Sequence, residues 1–120
     1  MNKVLIVDDQ PEIHKLLAIT LGNDYEVVGA QDGTSALNAI RTHRPKAVLL
    51  DIMMPGEIDG LQVLSEIRSD PKLKDTLVVM VSARSQAADQ RLGMEMGADA
   101  YFIKPFSPLQ LVTWMREKLH

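Results

Sequence analysis

Leu49-Leu50-Asp51-Ile52-Met53-Met54-Pro55 is the stretch on which the reading of this chain turns. Ala47 to Leu50 is an apolar run of strand length without a polar interruption, the pattern of a central strand buried on both faces. The first polar residue it delivers is Asp51, after which Pro55-Gly56 turns the chain away. Such an aspartate can simply start a loop or cap a helix. Its company makes it a candidate for chemistry. Asp8 and Asp9 follow the apolar run Val4 to Val7 in the same manner, and Ser82 and Lys104 close two more runs.

Outward from this stretch the same unit repeats. Val4 to Val7 reads as a strand, and Pro11 in a first helical turn opens a helix with Ile13, Leu16, Leu17, Thr20 and Leu21 at helical spacing. Gly22-Asn23-Asp24 ends it. Tyr25 to Ala30 is a second strand, and Asp32-Gly33 opens a helix that buries Ala36, Leu37 and Ile40 and stops at Pro45. Past Asp51, Asp59 with Gln62 forms a capping box ahead of Leu61, Leu64 and Ile67, and Asp70-Pro71 closes that helix. Leu77 to Val81 is the fourth strand. Gln86 to Met96 is a helix with a weak apolar face of Ala87, Ala88, Leu92 and Met96. Ala100 to Ile103 is the fifth strand, and Ser107-Pro108-Leu109-Gln110 caps a last helix reaching about Leu119.

Strands alternating with helices through short connections predict a doubly wound α/β domain, its parallel sheet covered by helices on both faces. Every strand then ends on one edge of the sheet, where ligands of open α/β folds bind. Asp8, Asp9, Asp51, Ser82 and Lys104 all fall there.

With 120 residues, 46% of them hydrophobic, the chain fits one globular core. A net charge of -3 advertises no basic surface for nucleic acid. Cysteine is absent, which excludes disulfides, thiolate metal sites and a cysteine nucleophile. Neither a secretory signal pattern nor an apolar run of membrane-spanning length is present, so a cytoplasmic protein is expected. His14 and His43 read as surface helix residues and His120 as a chain end, a scatter that suggests neither zinc nor a catalytic triad. The methionines, Met53 and Met54 among them, read as packing.

Carboxylates confined to one pocket repel one another and need a counter-charge. Lys104 supplies one. A hard divalent cation supplies a better second: magnesium takes oxygen ligands and is commonly held by one or two carboxylates together with phosphate oxygens. Asp9 and Asp51 are the expected direct ligands, the Met53 carbonyl a third, and Asp8 acts through water. Such a pocket suits attack by a carboxylate on a phosphoryl donor, with Asp51 the candidate nucleophile and the Ser82 hydroxyl a hydrogen-bond donor to the arriving group.

Val4-Leu5-Ile6-Val7-Asp8-Asp9, Leu50-Asp51-Ile52-Met53-Met54-Pro55, Met80-Val81-Ser82-Ala83 and Lys104-Pro105-Phe106 together closely resemble the receiver domains of bacterial two-component response regulators, the chemotaxis-regulator-like family. The resemblance covers essentially the whole chain, 1–120, as one receiver domain. It implies a flavodoxin-like (βα)5 fold with sheet order 2-1-3-4-5, Mg2+ in the acidic pocket, and phosphorylation of Asp51 by a histidine kinase or histidine phosphotransfer protein. It also implies that Lys104 binds the phosphoryl group, that Ser82 is the switch hydroxyl and Tyr101 the switch aromatic, and that Ala83 keeps the site open. The face of helix 4, strand 5 and helix 5 is then remodelled toward a downstream effector, and Leu111, Trp114 or Met115 can contribute there or pack in the core.

Met53 and Arg84 occupy positions that tune hydrolysis in the family. The loop after Pro55 departs from it: Gly56-Glu57-Ile58 precedes Asp59-Gly60, one residue more than usual, which sets an additional acid, Glu57, near the pocket. A phosphatase using Asp51 transiently lacks a second carboxylate just beyond it. A pseudo-receiver or scaffold has no need to confine like charges. The chain carries no DNA-binding or catalytic partner domain, so it reads as a stand-alone regulator or the receiver of a larger protein.

Overall fold

A computed structural model describes residues 2–119, which leaves His120 outside the described residues. Its elements alternate strictly: β1 (Lys3–Val7), α1 (Pro11–Leu21), β2 (Glu26–Ala30), α2 (Gly33–His43), β3 (Ala47–Leu50), α3 (Gly60–Ser69), β4 (Leu77–Ser82), α4 (Ala87–Glu95), β5 (Ala100–Ile103) and α5 (Pro108–Lys118). The five strands are parallel in the order β2-β1-β3-β4-β5, as the resemblance implies.

Successive side chains of a strand point to opposite faces, and the core divides accordingly. Val4, Ile6, Ala47, Leu49, Val79 and Val81 point to one face, where α1 and α5 contribute Leu17, Leu21, Leu111, Val112 and Met115. Leu5, Val7, Val48, Leu50, Val78 and Met80 point to the other, against Ala36 and Ile40 of α2 and Val63, Leu64 and Ile67 of α3. The uninterrupted apolar runs are thus strands with a core on each side.

The caps follow from sequence. Asp32 with Ser35 and Asp59 with Gln62 form reciprocal capping boxes. Ser107 Oγ accepts from the Gln110 amide at 3.2 Å.

Several local expectations are corrected. Tyr25 precedes β2 and is buried rather than paired, and Ser82 belongs to β4. Leu16 is exposed because α1 packs through Leu17 and Leu21. Ala87, Ala88 and Leu92 face solvent, and the one buried residue of α4 is Gly93, whose missing side chain admits the Tyr101 ring: a Cβ there would stand 3.3 Å from Tyr101 Cδ2. Leu111 and Met115 are core residues, since both are fully buried, and only Trp114 of that trio is partly exposed. A short 3-10 turn, Pro71–Leu73, follows α3, capped by Asp70 and burying Leu73.

Candidate functional site

Sheet register builds the site. Val7 pairs with Leu50, so the next residues along, Asp8 and Asp51, leave adjacent strands at the same level. The ladder continues one step further, with the Asp51 amide donating to the Val7 carbonyl at 3.0 Å and the Asp8 amide to Ala30 at 3.1 Å. Ser82 pairs with Ile103, and the Lys104 amide donates to the Ser82 carbonyl at 2.9 Å. Strand ends far apart in sequence thereby bring their polar residues onto one edge.

Asp8, Asp9 and Asp51 each turn a carboxylate oxygen into one cluster in which those atoms lie within 4.8 Å of one another. Asp8 and Asp51 are buried and Asp9 is exposed. The Lys104 ammonium enters this cluster and donates to Asp8 Oδ2 at 2.6 Å, Asp51 Oδ2 at 3.1 Å and Gln10 Oε1 at 3.2 Å. That set matches the three donors of an ammonium group. Gln10 also donates its backbone N–H to Asp8 Oδ1 at 2.9 Å. It stands at the N-cap of α1 yet makes no side-chain cap, because its side chain is turned to Lys104. The remaining oxygen of Asp51 accepts the Met53 amide at 3.2 Å.

Burial and crowding set the electrostatics. Burial pushes the Asp51 carboxyl above its ordinary range, and the charge of Asp8 adds to this while Lys104 pulls the other way. Burial also works against the Lys104 ammonium, but its bonds and charge attraction to Asp8 and Asp51 outweigh it and leave its pKa raised. The pocket is an ion triad in which one cation serves two buried anions. The hard oxygen donors, crowded and short of positive charge, fit a divalent metal of the magnesium class.

The remaining predicted residues surround this edge. Ser82 is fully buried, and its Oγ accepts the Arg84 amide at 3.2 Å, which leaves its own O–H available to donate. The Tyr101 hydroxyl donates to the Arg84 carbonyl at 2.8 Å. Burial raises its pKa, with the Ser82 hydroxyl working against the rise and the charges of Asp89 and Asp51 with it. Ala83 is exposed, and so is the Met53 side chain. Glu57 does not join the acidic cluster; it is exposed on a loop that turns at Gly56, whose φ of +94° suits glycine. The lengthened loop is tied down instead by Ile58, which packs so closely on Gly33 that a Cβ there would stand 2.6 Å from it.

One participant escaped the sequence. His14, read as a surface residue, is partly buried, with Nε2 2.6 Å from the Asp8 carbonyl oxygen. The signal was Gly29, a lone glycine inside the β2 pattern, which marks a close approach.

Residues 4–116 match the response regulator receiver domain family. The chain is a receiver domain of that family. It is 42% identical over 121 residues to the DNA-binding response regulator MtrA of Mycobacterium tuberculosis, which covers 98% of this chain and 50% of MtrA. The chain spans about half the length of the curated relatives it matches. The BeF3-activated N-terminal receiver domain of Klebsiella pneumoniae RstA superposes with a TM-score of 0.90 at 33% identity, covering 99% of both chains. The chemotaxis response regulator CheY4 of Vibrio cholerae gives 0.89 at 30%, also over 99% of each. The acidic cluster of this receiver matches the aspartate-phosphorylation site of its family, whose chemistry is phosphoryl transfer on and off the protein itself, not turnover of a bound substrate. Among the described residues, no helix is long and apolar enough to cross a membrane.

Proposed function

We propose that residues 1–120 act as one cytoplasmic phosphoacceptor module in which Asp51 takes a phosphoryl group from a histidine kinase or histidine phosphotransfer protein. The observation that carries this reading is Lys104 shared between Asp8 and Asp51 at the carboxyl edge of the sheet. A carboxylate whose burial raises its pKa is a better nucleophile than a freely solvated one. An oxygen of Asp51 attacks phosphorus in line, the bond from phosphorus to the donor nitrogen breaks, and the donor histidine departs with that electron pair. Lys104 shifts a donor onto the new phosphoryl oxygens, and the Ser82 O–H donates to another.

Magnesium is the implied cofactor. Asp9 and Asp51 with the Met53 carbonyl would be its direct ligands and Asp8 would act through water, since the bonds that Asp8 accepts, at 2.6 and 2.9 Å, are shorter than the 3.1 and 3.2 Å bonds that Asp51 accepts. When bound, the ion neutralises charge on the transferring group.

The output path runs from Ser82 through the Arg84 backbone to Tyr101, and so to the face of α4, β5 and α5. The effector contact falls there on exposed Leu92 and Leu109 together with Trp114, in place of the buried Leu111 and Met115.

The test is incubation with acetyl phosphate, with and without Mg2+, read by intact mass beside Asp51→Asn. A magnesium-dependent gain of one phosphoryl group that Asp51→Asn abolishes is the expected result. No adduct at short times, from acetyl phosphate or from a phosphohistidine donor, overturns the reading.

A further inference from the structure

His14 reaches back from the first turns of α1 to the strand end that begins the acidic cluster. Its Nε2 lies 2.6 Å from the Asp8 carbonyl oxygen. A carbonyl oxygen only accepts, so Nε2 carries the proton and donates. On the other side of the ring, β2 presents Gly29: a Cβ there would stand 3.1 Å from Nδ1 and 3.2 Å from Cε1. The imidazole is thus seated between a strand with no side chain and the peptide it holds. It also borders an open cleft of about 610 Å3 beside Pro11 and Asp32, so replacing it empties no closed core.

The bonded carbonyl matters because the next residue is Asp9. The Asp8 carbonyl and the Asp9 amide belong to one planar peptide, so fixing the carbonyl fixes the direction in which Asp9 leaves the strand. Asp8 has other restraints: its amide is bonded to Ala30 and its carboxylate to Gln10 and Lys104. Asp9 is exposed, and among the described residues no side chain holds its carboxylate. Its aim into the cluster depends on the backbone.

We propose that His14 is a positioning residue for the cation site, holding the Asp8–Asp9 peptide so that the Asp9 carboxylate points into the acidic cluster. This rests on reading that cluster as the magnesium site. Groups that orient metal ligands without touching the metal commonly carry about 10–100-fold in affinity.

The experiment is calorimetric titration with Mg2+ alone of the wild type, His14→Leu, His14→Gln, His14→Ala, Gly29→Ala and the double variant of the last two, each with its unfolding midpoint measured. His14→Leu removes the donor and is expected to weaken Mg2+ binding about tenfold. His14→Gln keeps an N–H donor at a similar reach and restores most of that affinity. Gly29→Ala presses on the ring and weakens binding in the wild type, but adds nothing in a His14→Ala background. Binding that is unchanged in His14→Leu overturns the proposal. So does an equal loss in His14→Gln and His14→Leu, which would assign the effect to packing. A wild type that gives no saturable Mg2+ binding fails the cofactor reading itself, and the His14 role with it.

Discussion

Lys104 makes its shortest bond to Asp8, at 2.6 Å, and reaches Asp51, the proposed acceptor, only at 3.1 Å. The tighter partner is the carboxylate that stays in place, so the ammonium can turn toward a phosphoryl group on Asp51 without releasing the strand end. Removing it leaves two buried anions without a cation. Lys104→Met is expected to lower stability in magnesium-free buffer at neutral pH by about 3 kcal/mol, measured by urea unfolding. An unchanged midpoint would contradict the ion-triad description.

Asp51 is the opposite case. Its carboxyl is raised first by burial, so its ionised form costs stability at neutral pH. Asp51→Asn in magnesium-free buffer is expected to raise Tm by a few degrees, on the order of 1 kcal/mol once solvent screening is allowed for. A lower Tm would mean that the charge is better compensated than the geometry implies.

Gly60 sits directly behind the acceptor. A Cβ there would stand 2.0 Å from the Asp51 carbonyl oxygen and 2.7 Å from Ile52 Cα, both backbone atoms that cannot swing aside. Gly60→Ala is expected to cost about 3 kcal/mol or more through backbone displacement and to slow phosphorylation from acetyl phosphate by at least roughly tenfold. Equal rates in the variant and the wild type would show that α3 can shift without moving Asp51.

At the far edge of the sheet, Arg68 ties three segments together. It donates to the carbonyls of Gly97 and Thr76 and to Asp99 Oδ2, each at 2.8 Å, and the same Asp99 oxygen accepts the Val78 amide. Arg68→Met is expected to cost about 2–3 kcal/mol in urea unfolding with little change in phosphorylation rate, because the clamp lies away from the chemistry. A double-mutant cycle with Asp99→Ala should show strong non-additivity; additive losses would deny the coupling.

Asp32 gives the pH dependence. The Ser35 amide, and secondarily the Ser35 hydroxyl, lower its pKa below the ordinary 3.8. For a carboxyl lowered by folding, the stabilisation is fully present above that ordinary value and is lost as pH falls through the folded one. Wild type should therefore exceed Asp32→Ala in Tm at about pH 6, with the gap closing as pH drops below about 4. A gap that is constant with pH would assign the effect to helix propensity.

The fold was legible because its strands are written as continuous apolar runs and its helices carry their own start signals, as Asp59 with Gln62 shows. The site was legible for a related reason: the acids, Ser82 and Lys104 each come directly after a run, so topology alone gathers them. What stayed hidden depends on contacts across the sheet. Arg68 gives no local hint that its partners lie at Thr76, Gly97 and Asp99. Leu16 and Leu111 both sit at helical spacing, and only the packing of α1 and α5 decides that the first is exposed and the second buried. Glu57 looked close to the pocket by count, but the turn at Gly56 carries it outward.

Locating the phosphoryl group on the chain decides whether Asp51 is the acceptor. Protein phosphorylated with acetyl phosphate and Mg2+ is reduced with borohydride, which converts an acyl phosphate to homoserine, and the peptides are mapped by mass spectrometry. Homoserine at position 51 alone, absent when Mg2+ is withheld, is the expected result. Homoserine at position 8 or 9, or a phosphoryl group resistant to borohydride and held on a histidine or serine, would contradict it.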